Sequence, residues 1–189
     1  MTEPRPPADP RATRTRERLR QALLAECAER PLAEVSVSAV VRRAGLGRAT
    51  YYLHYEDLQA LAVDACAEVV RQAVDALHAW RGLPDPAAPP PALAAFFADA
   101  ARHAALYRSL LLPGGSGPLG ELLHQELRER SRSERELAGA PQAGLVASAV
   151  AAAFTGVLAD WLHGSVEGAP EAVAGEVWRL LIALHRAVR

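Results

Sequence analysis

Apolar residues recur along this chain with a helical period for several turns at a time, and each run stops at a cluster of proline or glycine. That rhythm leaves little but packed helices open to it. Leu19, Leu23, Leu24 and Cys27 line one face of a run over 11–30 that Pro31 ends. A second stripe, Leu58, Leu61, Ala65, Val69, Ala73 and Leu77, continues to about Trp80, where "GLPDPAAPPP" breaks it. Further helices are expected near 91–103, 104–112, 119–137, 142–163 and 170–188, with a "PGGSGP" loop before the third of these. Glycine and proline mark segment ends rather than alternating with β-branched residues, which argues against a strand-rich fold. Half the residues are hydrophobic but only 5% are aromatic, so the core is one of closely packed helices. The expected fold class is all-α.

Charge divides the chain. All 21 cationic residues are arginine; residues 11–54 carry nine against four acids, and residues 55–189 carry eleven against sixteen. A basic front on an acidic remainder points to an anionic partner for the front only. The opening "MTEPRPPADP" reads as a disordered arm over 1–10. Cys27 and Cys66 lie far apart in apolar helical patterns, so they suit small buried hydrophobes of a reducing cytoplasm rather than a disulfide or a metal site. No signal core opens the chain and no uncharged run approaches membrane-spanning length, so a soluble cytoplasmic protein without a membrane partner is expected.

The front quarter holds "SVSAVVRRAGLGRATYYLHYEDLQAL". Ser36 suits an N-cap, Val37, Val40, Val41 and Ala44 an apolar face, and Gly45 a left-handed exit. A second short helix is expected from about Arg48 to His54, and two brief helices around a glycine turn make a helix-turn-helix. Glu56 and Asp57 then place negative charge where the next helix begins. Tyr51 and Tyr55, four apart, would face inward against Leu24 and the start of that long helix, leaving Tyr52 and His54 outward. A phenol and an imidazole on one exposed edge suit phosphate oxygens, as does Thr50 near the helix start. Arg48 has the reach to fork onto a guanine edge. Ser36 and Arg43, at either end of the preceding helix, would hold the backbone. The partner expected for this face is double-stranded DNA.

The last two helices carry more apolar surface than one neighbour covers. A homodimer joined by a four-helix bundle follows as an expectation, with Val146, Val150, Ala153, Val157, Trp161, Val177, Leu181 and Leu184 at the interface, and a monomeric bundle core as the alternative.

Residues 14–61 resemble the DNA-binding head of the tetracycline-repressor (TetR) family: an opening amphipathic helix, a capped helix, an Ala-Gly turn, then a small-Thr-aromatic-Tyr recognition helix with a His-aromatic close. The resemblance implies about nine helices, a three-helix head over 11–56 and a ligand-binding and dimerisation body over 57–189. It implies contacts to DNA from Ser36, Arg43, Arg48, Ala49, Thr50, Tyr52 and His54, made by a dimer on a near-palindromic operator. It further implies repression relieved by a small apolar or aromatic effector, in a pocket lined by Leu77, Trp80, Phe96, Phe97, Tyr107, Leu123 and Phe154, with His103 and His124 as polar anchors. Gly47 stands where the family has Ser or Thr, and Leu58 where it has lysine. These departures support a rival reading, a helical dimer with degenerate DNA binding that acts through protein or ligand contacts. No cofactor or catalytic site is expected: nucleophile motifs and phosphate-binding glycine loops are absent, and Asp160 with His163, one turn apart in "DWLH", makes only half a metal site.

Overall fold

The computed structural model describes residues 10–78 and 85–187. Of the arm expected over 1–10, residues 1–9 lie outside the described residues and Pro10 opens the first helix; the expectations for Trp80 and for the side chains of Val69, Ala73 and Leu77 also lie outside them. Among those residues every regular element is helical: α1 (Pro10–Glu29), α2 (Val37–Ala44), α3 (Arg48–Tyr52), α4 (Leu58–His78), α5 (Pro91–Arg102), α6 (Ala104–Leu110), α7 (Pro118–Leu137), α8 (Ala143–Leu162) and α9 (Pro170–Ala187). Single 3-10 turns occur at Leu32–Glu34 and Pro113–Gly115.

The chain forms two compact units, Met1–Ala65 and Cys66–Arg189, so the division falls inside α4 and not before it. Polar ties hold the first turns of α4 to the first unit. Arg20 on α1 donates from Nε and Nη2 to both carboxylate oxygens of Asp64, at 2.9 and 3.1 Å, and the Tyr55 hydroxyl donates to the same carboxylate.

In the first unit, α1 buries Leu19, Ala22, Leu23 and Cys27, while Leu24 is only half-buried. α2 packs on it through Ala39, Val40, Val41 and Ala44, with Val37 at the rim. The Ser36 Oγ accepts from the Ala39 amide at 3.2 Å, as an N-cap should. Gly45 leaves α2 at φ 62, and the Leu46 amide reaches back to the Val41 carbonyl at 2.8 Å. Arg18 closes the same end from α1, its Nη2 donating to the Ala44 carbonyl at 2.5 Å. A side chain at position 45 would be strained by that φ and would meet Arg18 at 3.0 Å.

The second unit is built around α7 and α8, which pack along one another, with α9 and the Pro113–Gly115 turn also against α8. The first turn of α7 lies so close to that turn that a Cβ on Gly120 would stand 2.0 Å from the Gly115 carbonyl oxygen. At the other end, buried Arg135 donates to the carbonyls of Pro141 at 3.0 Å and His185 at 3.3 Å, tying α7 to the following loop and to α9. One expectation is overturned here. α8 is long and apolar enough to cross a bilayer, with a mean hydropathy of 1.7. Half of that stretch is buried inside the unit, which is how a central core helix satisfies an apolar surface.

Candidate nucleic-acid interface

The helix-turn-helix is held from beneath by two tyrosines. Tyr51 is fully buried and its hydroxyl donates to the Asp57 carbonyl at 2.7 Å; Tyr55 is buried with its hydroxyl on Asp64. Their ring centroids are 5.9 Å apart. Asp57 caps α4, its Oδ1 accepting from the Ala60 amide at 2.7 Å. These ties bend the chain between the two helices, so α3 closes at Tyr52 instead of continuing to His54. Leu53 becomes its C-cap, and the His54 and Tyr55 amides both turn onto the Tyr51 carbonyl, at 2.9 and 3.0 Å.

What remains outside is a compact edge. Arg48, Ala49, Tyr52 and Leu53 are exposed, Tyr52 by 59% and Leu53 by 82%, while Thr50 and His54 are half-buried. The sequence reading missed Leu53. The same helical spacing that turns Tyr52 outward would have found it, but a leucine is taken for core. Ser36, the cap of α2, is exposed and its hydroxyl proton remains available.

Arg43 is exposed and engaged by two carboxylates of α1. Its Nε sits 2.6 Å from Oε1 of Glu26, a carboxylate buried on α1, and its Nη2 sits 2.5 Å from Glu29. These pairs tie α2 to α1. Hydrogen bonds and charge from Arg43 hold the Glu29 carboxyl below the ordinary carboxylate range. Arg42, beside it, is exposed and has no ion pair among the described residues.

Gly47 caps α3 with φ −88 and ψ 155, and no atom stands within 4 Å of where a Cβ would lie. A serine fits that backbone and supplies an acceptor for the first turn of α3. Gly47→Ser is therefore expected to stabilise the protein by about 0.5 kcal/mol, read from the urea midpoint at unchanged slope.

Burial suppresses ionisation of one thiol and three phenols. It raises Tyr51 to about 12 and Cys27 to about 11, and lifts Tyr55 and Tyr107 above the normal phenol range, with Asp64 adding to the effect at Tyr55. Each is an acid whose folded pKa lies above its unfolded value. The stability it contributes is complete below the unfolded pKa, about 8.5 for a thiol and 10 for a phenol, and is lost as pH climbs toward the folded value. The melting temperature should hold to about pH 8.5 and fall steeply beyond about pH 10, followed by circular dichroism across an alkaline series.

In the second unit the residues expected to line an effector pocket pack on one another. Phe96 stands 5.7 Å from Phe97, 5.8 Å from Phe154 and 6.2 Å from Tyr107, ring to ring, and Phe97 stands 6.1 Å from Phe154. Leu123 is buried in the same unit. The Tyr107 hydroxyl donates to Asp99 at 3.0 Å, and His103 Nδ1 lies 3.2 Å from the Asp99 carbonyl. His124 lies apart from such a lining: it borders a surface groove with Glu121, Gln125, Arg128 and Glu129.

The expected dimer residues also need correction. Val146, Val150, Val177 and Leu181 are buried within the unit itself, because α7, α9 and the Pro113–Gly115 turn cover α8. Trp161 is half-buried, its Nε1 donating to the Gly168 carbonyl at 2.9 Å and its ring 5.3 Å from Phe97. Ala153, Val157 and Leu184 keep partial exposure. Of the large apolar side chains described on α8 and α9, Leu145 and Leu180 are exposed, and the small residues Ala149, Ala152 and Gly156 along α8 keep full or partial exposure. His163 Nε2 donates to the Leu111 carbonyl at 2.9 Å, which engages that nitrogen in closing the end of α6.

No protein-family model and no curated protein matches the chain. Solved structures do. A TetR transcriptional regulator from Rhodococcus sp. RHA1 superposes with a TM-score of 0.59 at 20% identity, over 93% of this chain and 97% of that one. A TetR-family transcriptional regulator from Streptomyces coelicolor gives 0.62 at 18% identity, over 93% and 82%. The fatty acid degradation regulator FadR from Bacillus halodurans gives 0.58 at 18%, over 89% and 94%. Likeness at such identities is likeness of fold: the chain has the all-α fold of the TetR-family transcriptional regulators.

Proposed function

We propose that the chain is a dimeric, sequence-specific DNA-binding transcriptional regulator, a repressor that leaves a near-palindromic operator when a small apolar or aromatic effector binds. The observation that carries this reading is the edge of exposed Arg48 and Tyr52 with half-buried Thr50 and His54, over the buried Tyr51 and Tyr55. Donors on such an edge suit phosphate oxygens, and an arginine at the start of α3 suits a guanine in the major groove. Arg42 takes the backbone role the sequence assigned to Arg43. One such head makes too few contacts to select a genomic site, so two heads reading related half-sites are needed. The outward strip of Leu145, Ala149, Ala152, Gly156 and Leu180 is the dimer face in this reading, since small residues let helices approach closely. The aromatic cluster of the second unit is where an effector of like chemistry would insert.

The test is binding of the full chain to randomised duplex DNA, repeated across salt concentrations. A regulator enriches one two-fold motif, and its affinity falls with a log–log slope of about −0.9 per phosphate neutralised. Sequence-blind binding with a shallow slope overturns the proposal. Sedimentation checks the dimer, and titrating the operator complex with apolar ligands that bind the protein checks release, since coupling must be reciprocal.

A further inference from the structure

We infer that Ser38, on the second residue of α2, is a positioning residue that sets the base preference of Arg48 by holding its guanidinium across the helix-turn-helix. This rests on the DNA-binding reading. Arg48 opens α3 and is exposed, on a side chain with four rotatable bonds. Left alone, such a side chain samples many rotamers and can settle on a neighbouring phosphate as easily as on a base edge. Here it does not stand alone. Its Nη2 donates to the Ser38 Oγ, the one partner it has among the described residues.

The chemistry of the pair suits holding rather than consuming the cation. A serine hydroxyl accepts without neutralising charge, whereas a carboxylate in its place would have cancelled what the DNA must see. Five N–H donors belong to the guanidinium and the hydroxyl takes one, leaving more than the two needed to fork onto guanine O6 and N7. Neighbouring Arg43 shows the contrast: two glutamates occupy it. Ser38 also has no competing duty in α2. The N-cap is Ser36, and Ser38 is only half-buried, so its hydroxyl is not needed to close the helix or fill the core. Pinning before binding lowers the ordering cost of the specific contact and denies the arginine its alternatives, which raises discrimination more than affinity.

The experiment selects bound sequences from a randomised duplex library with full-length wild type and the variants Ser38→Ala, Ser38→Thr and Arg48→Ala, alongside thermal melts. Arg48→Ala should erase the preference for guanine at one position of each half-site. Ser38→Ala should weaken the preference at that same position from tenfold or more to about threefold, with the melting temperature and salt slope unchanged. Ser38→Thr, which keeps the hydroxyl, should restore it. Retention of the full preference in Ser38→Ala, while Arg48→Ala loses it, overturns the role of Ser38 and leaves the DNA reading standing. If Arg48→Ala keeps the same motif as wild type, the reading beneath falls with it.

Discussion

Alanine at both Arg48 and Tyr52 is expected to weaken specific DNA binding by about 100-fold or more, with the fold intact. A bidentate arginine on guanine contributes about 1–3 kcal/mol of discrimination, and a positioned phenol on phosphate contributes further affinity independent of sequence. Both side chains are exposed, so truncation removes no core. Tyr51, Tyr55 and the Asp57 cap stay in place to hold α3, and the melting temperature should move little. Fluorescence anisotropy against a selected duplex gives the affinity, and circular dichroism gives the melt. Unchanged promoter occupancy in the double variant would remove the assignment of this edge.

The second large effect concerns stability. Glu26→Ala is expected to cost about 2–3 kcal/mol, since it removes a buried carboxylate that accepts a charge-assisted bond from Arg43 and pairs with Arg30. Glu26 is 2% exposed; Arg43 lies against one oxygen and Arg30 lies 3.3 Å from the other. Urea unfolding followed by circular dichroism measures the loss. The same site separates two roles for Arg43. Glu26→Met combined with Arg43→Met exchanges the pair for apolar side chains of similar length and should recover much of the stability. If Arg43 is a strut, the recovered protein binds DNA with the salt slope of wild type. A slope shallower by about 0.9 would return Arg43 to the phosphate contacts.

The contrast between these residues shows what one chain's sequence makes visible. Tyr51, Tyr52 and Tyr55 could be sorted in and out because the sorting depends on local helical spacing, which sequence records directly. So could Ser36 and Gly45, whose side chains or lack of one answer to their own backbone. Arg43 could not be sorted, because its partners stand 14 and 17 residues upstream on another helix. Period alone gives no pairing between helices. The faces of α8 are hidden for a different reason. The helix is apolar on nearly every side, so no stripe marks which side meets α7 and α9 and which is left over. Its pattern does not separate Val146 and Val150, which are buried within the unit, from Leu145 and Ala152, which are exposed. α3 ended early because two tyrosine hydroxyls draw the following residues inward, an effect of tertiary ties that propensity does not contain.

The carboxylate of Asp64, shared by Arg20 and Tyr55, bears on how this gene can be cut and joined. A chimera that grafts the front of this chain onto another protein of the same fold at Glu56 strips an arginine and a phenol of their common acceptor. A junction placed beyond Ala65 carries the acceptor along. Exchanges of the first unit between proteins of this fold should be joined there.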